Sequence, residues 1–182
     1  MKYLIASDIH GSSYYCEKLV EAFNYEKADL LVVLGDILYH GPRNDLPKEY
    51  APKKVISLLS PLADKIIAVR GNCDAEVDQM VLNFSILSES SYISDSGRVY
   101  AITHGHHLDE FIKNSNGKCD AIFFGHTHVP ECSEKDGALT VNPGSVSIPK
   151  ENSCHSYIVL ENSTIDWKDI ENNTIYKTHK LK

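Results

Sequence analysis

Ser7-Asp8-Ile9-His10-Gly11, set directly after the apolar run Tyr3-Leu4-Ile5-Ala6, is the stretch from which the fold is read. Four apolar residues ended by polar ones and a glycine describe a short buried strand that delivers side chains to its tip. Asp8 and His10 are two apart, so an extended chain projects both to the same side. A carboxylate and an imidazole held together suit a borderline divalent cation such as Mn²⁺, Zn²⁺ or Fe²⁺. One such pair carries little weight, because Asp and His at strand ends also cap helices and make local hydrogen bonds.

Repetition gives it weight. Leu30-Leu31-Val32-Val33-Leu34 leads to Gly35-Asp36, and Ile66-Ile67-Ala68-Val69 leads, after Arg70, to Gly71-Asn72-Cys73-Asp74. Val99-Tyr100-Ala101-Ile102 leads to Thr103-His104-Gly105-His106, and Ala121-Ile122-Phe123-Phe124 to Gly125-His126-Thr127-His128. Strands sharing a sheet bring such ends to one edge, where their polar residues line a common crevice.

Between these ends the pattern turns helical. Ser12 and Ser13 offer N-cap oxygens for a helix through about Lys27, whose Cys16, Leu19, Val20 and Phe23 form one apolar stripe. Pro52 opens a second helix with Val55, Leu58, Leu59 and Leu62 on one face, and a short helix follows around 75–80. The first 80 residues therefore read β-α-β-α-β, the pattern of right-handed parallel crossovers. Beyond them, strands are expected at Ser91–Ile93, Val99–Ile102, Ile122–Phe124, Leu139–Val141, Tyr157–Leu160 and Thr174–Lys177. One helix is expected near His107–Asn114, and the tail Ser156–Lys182 reads as antiparallel strands. The expected fold is α/β (α+β): one domain over 1–182, with two mixed β-sheets packed as a sandwich and flanked by helices.

Composition excludes several classes. The 182 residues are 42% hydrophobic and 24% charged, as in an ordinary globular domain. No stretch has the length and apolarity of a membrane span, and the N-terminus lacks a signal-peptide pattern. The net charge of −7 argues against a stable nucleic-acid complex. Five scattered cysteines without a C-x-x-C pair fit reduced thiols, so the expected location is cytoplasmic.

Collected, the strand-end residues Asp8, His10, Asp36, Asn72, His104, His126 and His128 are too many for one tetrahedral zinc. They fit two cations with mixed oxygen and nitrogen ligands, with Asp36 as the natural bridge. Two metals ~3.5–4 Å apart clamp the oxygens of a phosphoryl group and make a hydroxide nucleophile at neutral pH.

The blocks Asp8-Ile9-His10, Gly35-Asp36, Gly71-Asn72-Cys73-Asp74, His104-Gly105-His106 and Gly125-His126-Thr127-His128, in that order, resemble the signature of the calcineurin-like metallophosphoesterases. Within that superfamily the chain is most similar to the small bacterial YfcE-type phosphodiesterases, from Met1 to about Lys150. The likeness extends through His40-Gly41-Pro42-Arg43-Asn44 and the run from Asn142 to Lys150. It implies a calcineurin-like fold and a phosphodiesterase that hydrolyses small phosphodiesters by direct attack of a metal-activated hydroxide at a dinuclear site. Asp8, His10 and His128 would hold one metal, Asn72, His104 and His126 the other, and Asp36 would bridge. The metals implied are Mn²⁺ first, with Ni²⁺, Co²⁺, Zn²⁺ or Fe²⁺ as alternatives.

The histidine that the wider superfamily carries in its third block is Cys73 here, a poorer acid with a reference pKa of ~8.5. Cys73, Asp74 and His106 are the catalytic candidates, with His106 and His40 as alternative proton donors. Arg43, whose guanidinium fork matches phosphate geometry, and His40 are the substrate-binding candidates. Asn142-Pro143-Gly144-Ser145 is expected as a structural turn flanking the site. His107, His155 and His179 fit no motif. Two rivals remain: a phosphomonoesterase or cyclic-nucleotide phosphodiesterase with the same metals, and a non-catalytic binding scaffold on this fold. Self-association as a homo-oligomer is left open by the sequence.

Overall fold

The computed structural model describes residues 1–115 and 117–181. The elements in order are β1 (Tyr3–Ala6), α1 (Ser13–Glu26), β2 (Leu30–Val33), α2 (Pro52–Leu59), β3 (Ile66–Ala68) and α3 (Glu76–Gln79). They continue as β4 (Ser90–Asp95), β5 (Arg98–Thr103), α4 (Leu108–Ser115), β6 (Ala121–Phe123), β7 (Glu131–Lys135) and β8 (Ala138–Asn142). Three strands close the chain: β9 (Ser156–Glu161), β10 (Thr164–Asp169) and β11 (Ile175–Lys180).

Two mixed sheets result, one ordered β11-β10-β9-β1-β2-β3 and the other β4-β5-β6-β8-β7. β1, β2 and β3 run parallel, as do β5, β6 and β8, while the outer strands pair antiparallel. Alternation along β1 sets the layers. Tyr3 and Ile5 point between the sheets, where Val32, Phe123, Ile158 and Trp167 meet them. Leu4 and Ala6 point the other way, against Cys16, Leu19 and Phe23 of α1 and Val55 and Leu59 of α2. Ile112 of α4 covers the outer face of the second sheet over Ala101 and Ile122. β1 is thus buried on both faces, which is why it reads as an unbroken apolar run rather than an alternating one.

Ser12 caps α1 by accepting from the Tyr15 N–H, and Pro52 opens α2, as the sequence predicts. Three features differ. α2 ends at Leu59, and Leu62, expected on its face, lies in a 3₁₀ segment over Ser60–Lys65 with Pro61 in its first turn. β7 lies in a stretch given no strand by its sequence; Glu-Cys-Ser-Glu-Lys has no apolar period, and only its pairing with β8 at the sheet edge makes it a strand. Within the tail, β11 begins one residue later than expected and runs to Lys180; Lys182 lies outside the described residues. All five cysteines are free thiols, and among the described residues no helix is long and apolar enough to cross a membrane.

Candidate metal centre

Because β1, β2 and β3 are parallel, their C-terminal ends open on one edge, and the ends of β5 and β6 meet them there. Backbone hydrogen bonds stitch the loops together: Asp8 N–H to Gly35 O at 3.2 Å, His10 N–H to Asp36 O at 2.9 Å and Gly125 N–H to His104 O at 2.8 Å. One expectation is corrected. Asp8 and His10 do not share a side of an extended strand, since β1 ends at Ala6 and both residues have left-handed backbones, φ 58° and 49°. Asp36, His126 and His128 are left-handed too, at 55°, 66° and 62°. Non-glycine residues adopt this region rarely and at a cost, and such residues gather where a site over-determines them.

Convergence is therefore made by turns. His10, His104 and His128 each hydrogen-bond through Nδ1 to a backbone carbonyl, of Tyr39 (2.8 Å), Leu34 (2.7 Å) and Ile148 (2.7 Å). A carbonyl only accepts, so each Nδ1 carries the proton and each Nε2 is turned inward. There, Nε2 of His128 and of His10 lie 3.2 and 3.6 Å from Asp8 Oδ1, and Nε2 of His10 and of His104 lie 3.6 and 3.5 Å from Asp36 Oδ2. Asp8 Oδ1 is buried and accepts no hydrogen bond. Asn72 Oδ1 stands 3.0 Å from His104 Nε2.

Donor atoms of Asp8, His10 and His128 fall within 4.8 Å of one another, as do those of Asp8, Asp36 and His104, and of His10, Asp36 and Cys73. His126 is outside these clusters, its ring 5.2 Å from that of His104, while its N–H donates to Asp8 Oδ2 at 3.1 Å. An orphaned buried carboxylate oxygen among inward-facing imidazole nitrogens fits divalent cations: oxygen and nitrogen donors are aimed at shared points.

Electrostatics point the same way. Burial works to raise the Asp8 pKa, but contacts with His10 and His128 outweigh it and hold the carboxyl well below its usual range. Burial disfavours the His104 cation, yet Asp36 lifts its pKa to about 9. Without a cation these groups compensate one another by holding protons, and metal binding releases those protons.

Above them lies a cavity of about 410 Å³ lined by Asp36, Asn72, Cys73, His126 and His128, with Arg43 and Lys150 also on its walls. Burial, and then the Asp36 charge, push the Cys73 thiol up to about 12, so it faces the cavity protonated. Asp74, His40 and His106 are not in that lining. Asp74 is buried and accepts three backbone N–H groups, of Asp36 (2.8 Å), Ile37 (2.9 Å) and Gly71 (2.8 Å), so it clamps the β2 and β3 loops together. His40 packs edge-on against Tyr39 and Tyr50. His106 stands 6.2 Å from His126 between ring centroids and lines a separate cavity beside His107.

The run from Asn142 to Lys150 supplies supporting residues. Ser145 and Ser147 both donate to Asp8 O at 2.9 Å, and Asn142 donates to Gly125 O at 2.7 Å, so the Asn142–Ser147 turn braces two ligand loops. Lys150 is tied in by its N–H to His128 O at 3.2 Å. The close approach of the β2 and β3 loops requires Gly71, since a β-carbon there would stand 2.1 Å from Asp36 Oδ1.

Two sheets in this order set Asp, His and Asn at the parallel strand ends, a donor set suited to divalent cations. A family model described as the calcineurin-like phosphoesterase superfamily domain matches residues 1–164, and the chain belongs to that superfamily. It is 44% identical to the phosphodiesterase YfcE of Escherichia coli K12 over 91% of this chain and 90% of that one. The solved structure of E. coli YfcE, a phosphoesterase, matches all of both chains with a TM-score of 0.90 and 40% identity. The probable metallophosphoesterase YsnB of Bacillus subtilis is 26% identical over 88% of this chain and 83% of its own. Vps29 of Entamoeba histolytica, solved with Zn²⁺, shares the fold at a TM-score of 0.68 and 19% identity over all of both chains.

Proposed function

We propose that this chain is a phosphodiesterase that hydrolyses small phosphodiesters by direct attack of water at a centre of two divalent cations, Mn²⁺ first among Mn²⁺, Ni²⁺, Co²⁺, Zn²⁺ and Fe²⁺. The observation that carries this reading is the inward turn of three histidine Nε2 atoms onto Asp8 and Asp36, with Asp8 Oδ1 left unpartnered. The phosphodiesterase name of the 44%-identical relative supports the substrate class.

Divalent cations bound there supply a Lewis acid for phosphoryl oxygens and lower the pKa of a bound water. The chain's residues hold and orient. Asp8, His10 and His128 would hold one cation and Asn72, His104 and His126 the other, with Asp36 shared between them. Backbone carbonyls fix the tautomer of three of the histidines, and Asp74 holds the Asp36 loop; Asp74 is a positioning residue. Arg43 and Lys150, on the cavity wall, would meet the non-bridging phosphate oxygens. Cys73, a neutral thiol at the wall, can hydrogen-bond an ester oxygen but is a weak proton donor, which favours esters with good leaving groups. His40 and His106, outside the cavity lining, have no part as proton donors in this reading. One observation favours the monoesterase rival: Lys150 joins Arg43 as a second cation on the cavity wall, where a doubly charged phosphate would use both.

Metal-stripped protein tested on chromogenic diesters and monoesters, with Mn²⁺ added back to wild type and to Asp36→Ala, separates these readings. Diester turnover that needs metal and disappears in the variant is expected. Monoester preference promotes the rival, and absence of turnover with all five metals by folded protein overturns the enzymatic reading.

A further inference from the structure

Beside the metal cavity lies a second one of about 450 Å³, walled by Leu38, Tyr39, Tyr50, Ile56, Val77 and Val81. The residue common to both linings is Cys73. The ridge between them is tightly built: a β-carbon on Gly41 would stand 3.1 Å from Cys73 Sγ, and His40 is wedged against Tyr39 and Tyr50 with ring centroids 4.8 and 5.2 Å away. The two cavities thus meet at one neutral thiol but differ in character. The first presents Arg43, Lys150 and the metal ligands. The second is apolar; its Asp78 accepts the Ala75 N–H through Oδ2 at 2.9 Å, and its Lys53 is exposed.

Val77, Val81 and Tyr39 are left 63%, 51% and 42% exposed, an apolar surface directly beside a reaction centre. Ligand sites commonly take the form of an apolar cleft beside a few polar groups. A phosphodiester carries two organic arms, and Cys73 marks the place where an arm leaving the first cavity would enter the second. Apolar walls of this kind are stabilised by covering them with an uncharged aryl or alkyl arm, whereas a hydrated sugar covers less apolar surface.

We propose that this groove is the subsite for an uncharged apolar arm of the ester, and that the preferred substrates are phosphodiesters with one aryl or alkyl arm. This rests on the phosphodiesterase reading above, and diester turnover measured on the same preparations reports on that reading separately.

The test is direct calorimetric titration of Mn²⁺-loaded protein with methylphosphonate and pentylphosphonate. Each fully buried methylene tightens binding about fourfold. With the four added methylenes only partly buried, pentylphosphonate is expected to bind at least about tenfold tighter than methylphosphonate. The double variant Val77→Ser with Val81→Ser, at two exposed positions, should shrink that ratio at least about threefold, the methylphosphonate Kd serving as internal reference. A wild-type ratio near one overturns the proposal, and so does a ratio that survives the double variant. A flat ratio with a sedimentation mass that changes in the double variant would make the groove a contact between copies and equally end the proposal.

Discussion

Replacing Asp74 by asparagine tests how the centre is held. Asp74 Oδ2 accepts from Asp36 N–H and Gly71 N–H, both at 2.8 Å, and Oδ1 accepts from Ile37 N–H at 2.9 Å. Asparagine has one carbonyl oxygen, so its best orientation keeps two donors and sets its amide group against the third, the Ile37 N–H. One charge-assisted hydrogen bond is lost outright, at about 1.5–3 kcal/mol. The remaining two weaken because their acceptor is no longer charged. The sum is about 3 kcal/mol, which for a chain of this length lowers Tm by roughly 6–12 °C. The same change releases the backbone of Asp36 and Ile37, and displacement of a ligand loop by ~1 Å reduces turnover about 10²-fold. Thermal unfolding and kcat at saturating Mn²⁺, measured on the same preparation, check both halves. A large fall in kcat with Tm unchanged would mean that the carboxylate touches the reacting atoms. A large fall in Tm with kcat intact would mean that Asp36 is positioned without it. Either result refutes the clamp.

Gly71→Ala acts by contact, because the backbone there is not left-handed and the new β-carbon meets Asp36 Oδ1 at 2.1 Å and Asp36 N at 2.3 Å. It should weaken Mn²⁺ binding in a metal titration, whereas Gly97→Ala, strained at φ 81° in open space, should leave Mn²⁺ affinity unchanged. Lys150→Ala should raise KM two- to fivefold, the effect of about 0.5–1 kcal/mol for an exposed ionic contact, and more for a monoester than for a diester. Removing metal with a chelator should speed hydrogen exchange in the loops that carry Asp8, Asp36 and His126 ahead of the β1 and β2 core; uniform exchange would contradict the ligand assignment. Burial pushes the Cys16 thiol from 9.0 in the unfolded chain to about 12, so the unfolded chain loses this proton first as pH rises. Its contribution to stability is therefore complete below pH 9 and lost between 9 and about 12. Denaturant midpoints of wild type and Cys16→Ala should converge across that window.

What the sequence made legible follows from burial. β1, β2 and β3 are sandwiched between a helix layer and a second sheet, so they had to be apolar runs, and the polar residue after each run marks where the sheet ends. The candidate ligands could be collected because each sits at such an end. Lys150 closes the run that carries the family likeness, but its place on the cavity wall depends on a backbone bond to His128 that no spacing encodes. Nor could β7, a polar edge strand specified by its partner. His40 and His106 show what a motif leaves out: Gly105 at φ 104° turns the chain between His104 and His106, and two tyrosine rings pack edge-on against His40.

The left-handed residues explain why the centre could be listed from sequence but not drawn from it. An extended reading sends Asp8 and His10 to one side of a strand, whereas reversed backbones at Asp8, His10, Asp36, His126 and His128 bring three separate chain segments within bonding reach. Each such backbone costs about 1 kcal/mol or more, and five together rival a large part of a domain's net stability of roughly 5–15 kcal/mol. That strain has to be offset by the surroundings. The Asn142–Ser147 turn grips the Asp8 carbonyl from one side, Asp74 grips the Asp36 loop from another, and three backbone carbonyls fix the imidazoles. Cations that engage Asp8 Oδ1 would satisfy the one buried ligand oxygen the protein leaves bare, so binding them and completing the fold at this edge are parts of the same process.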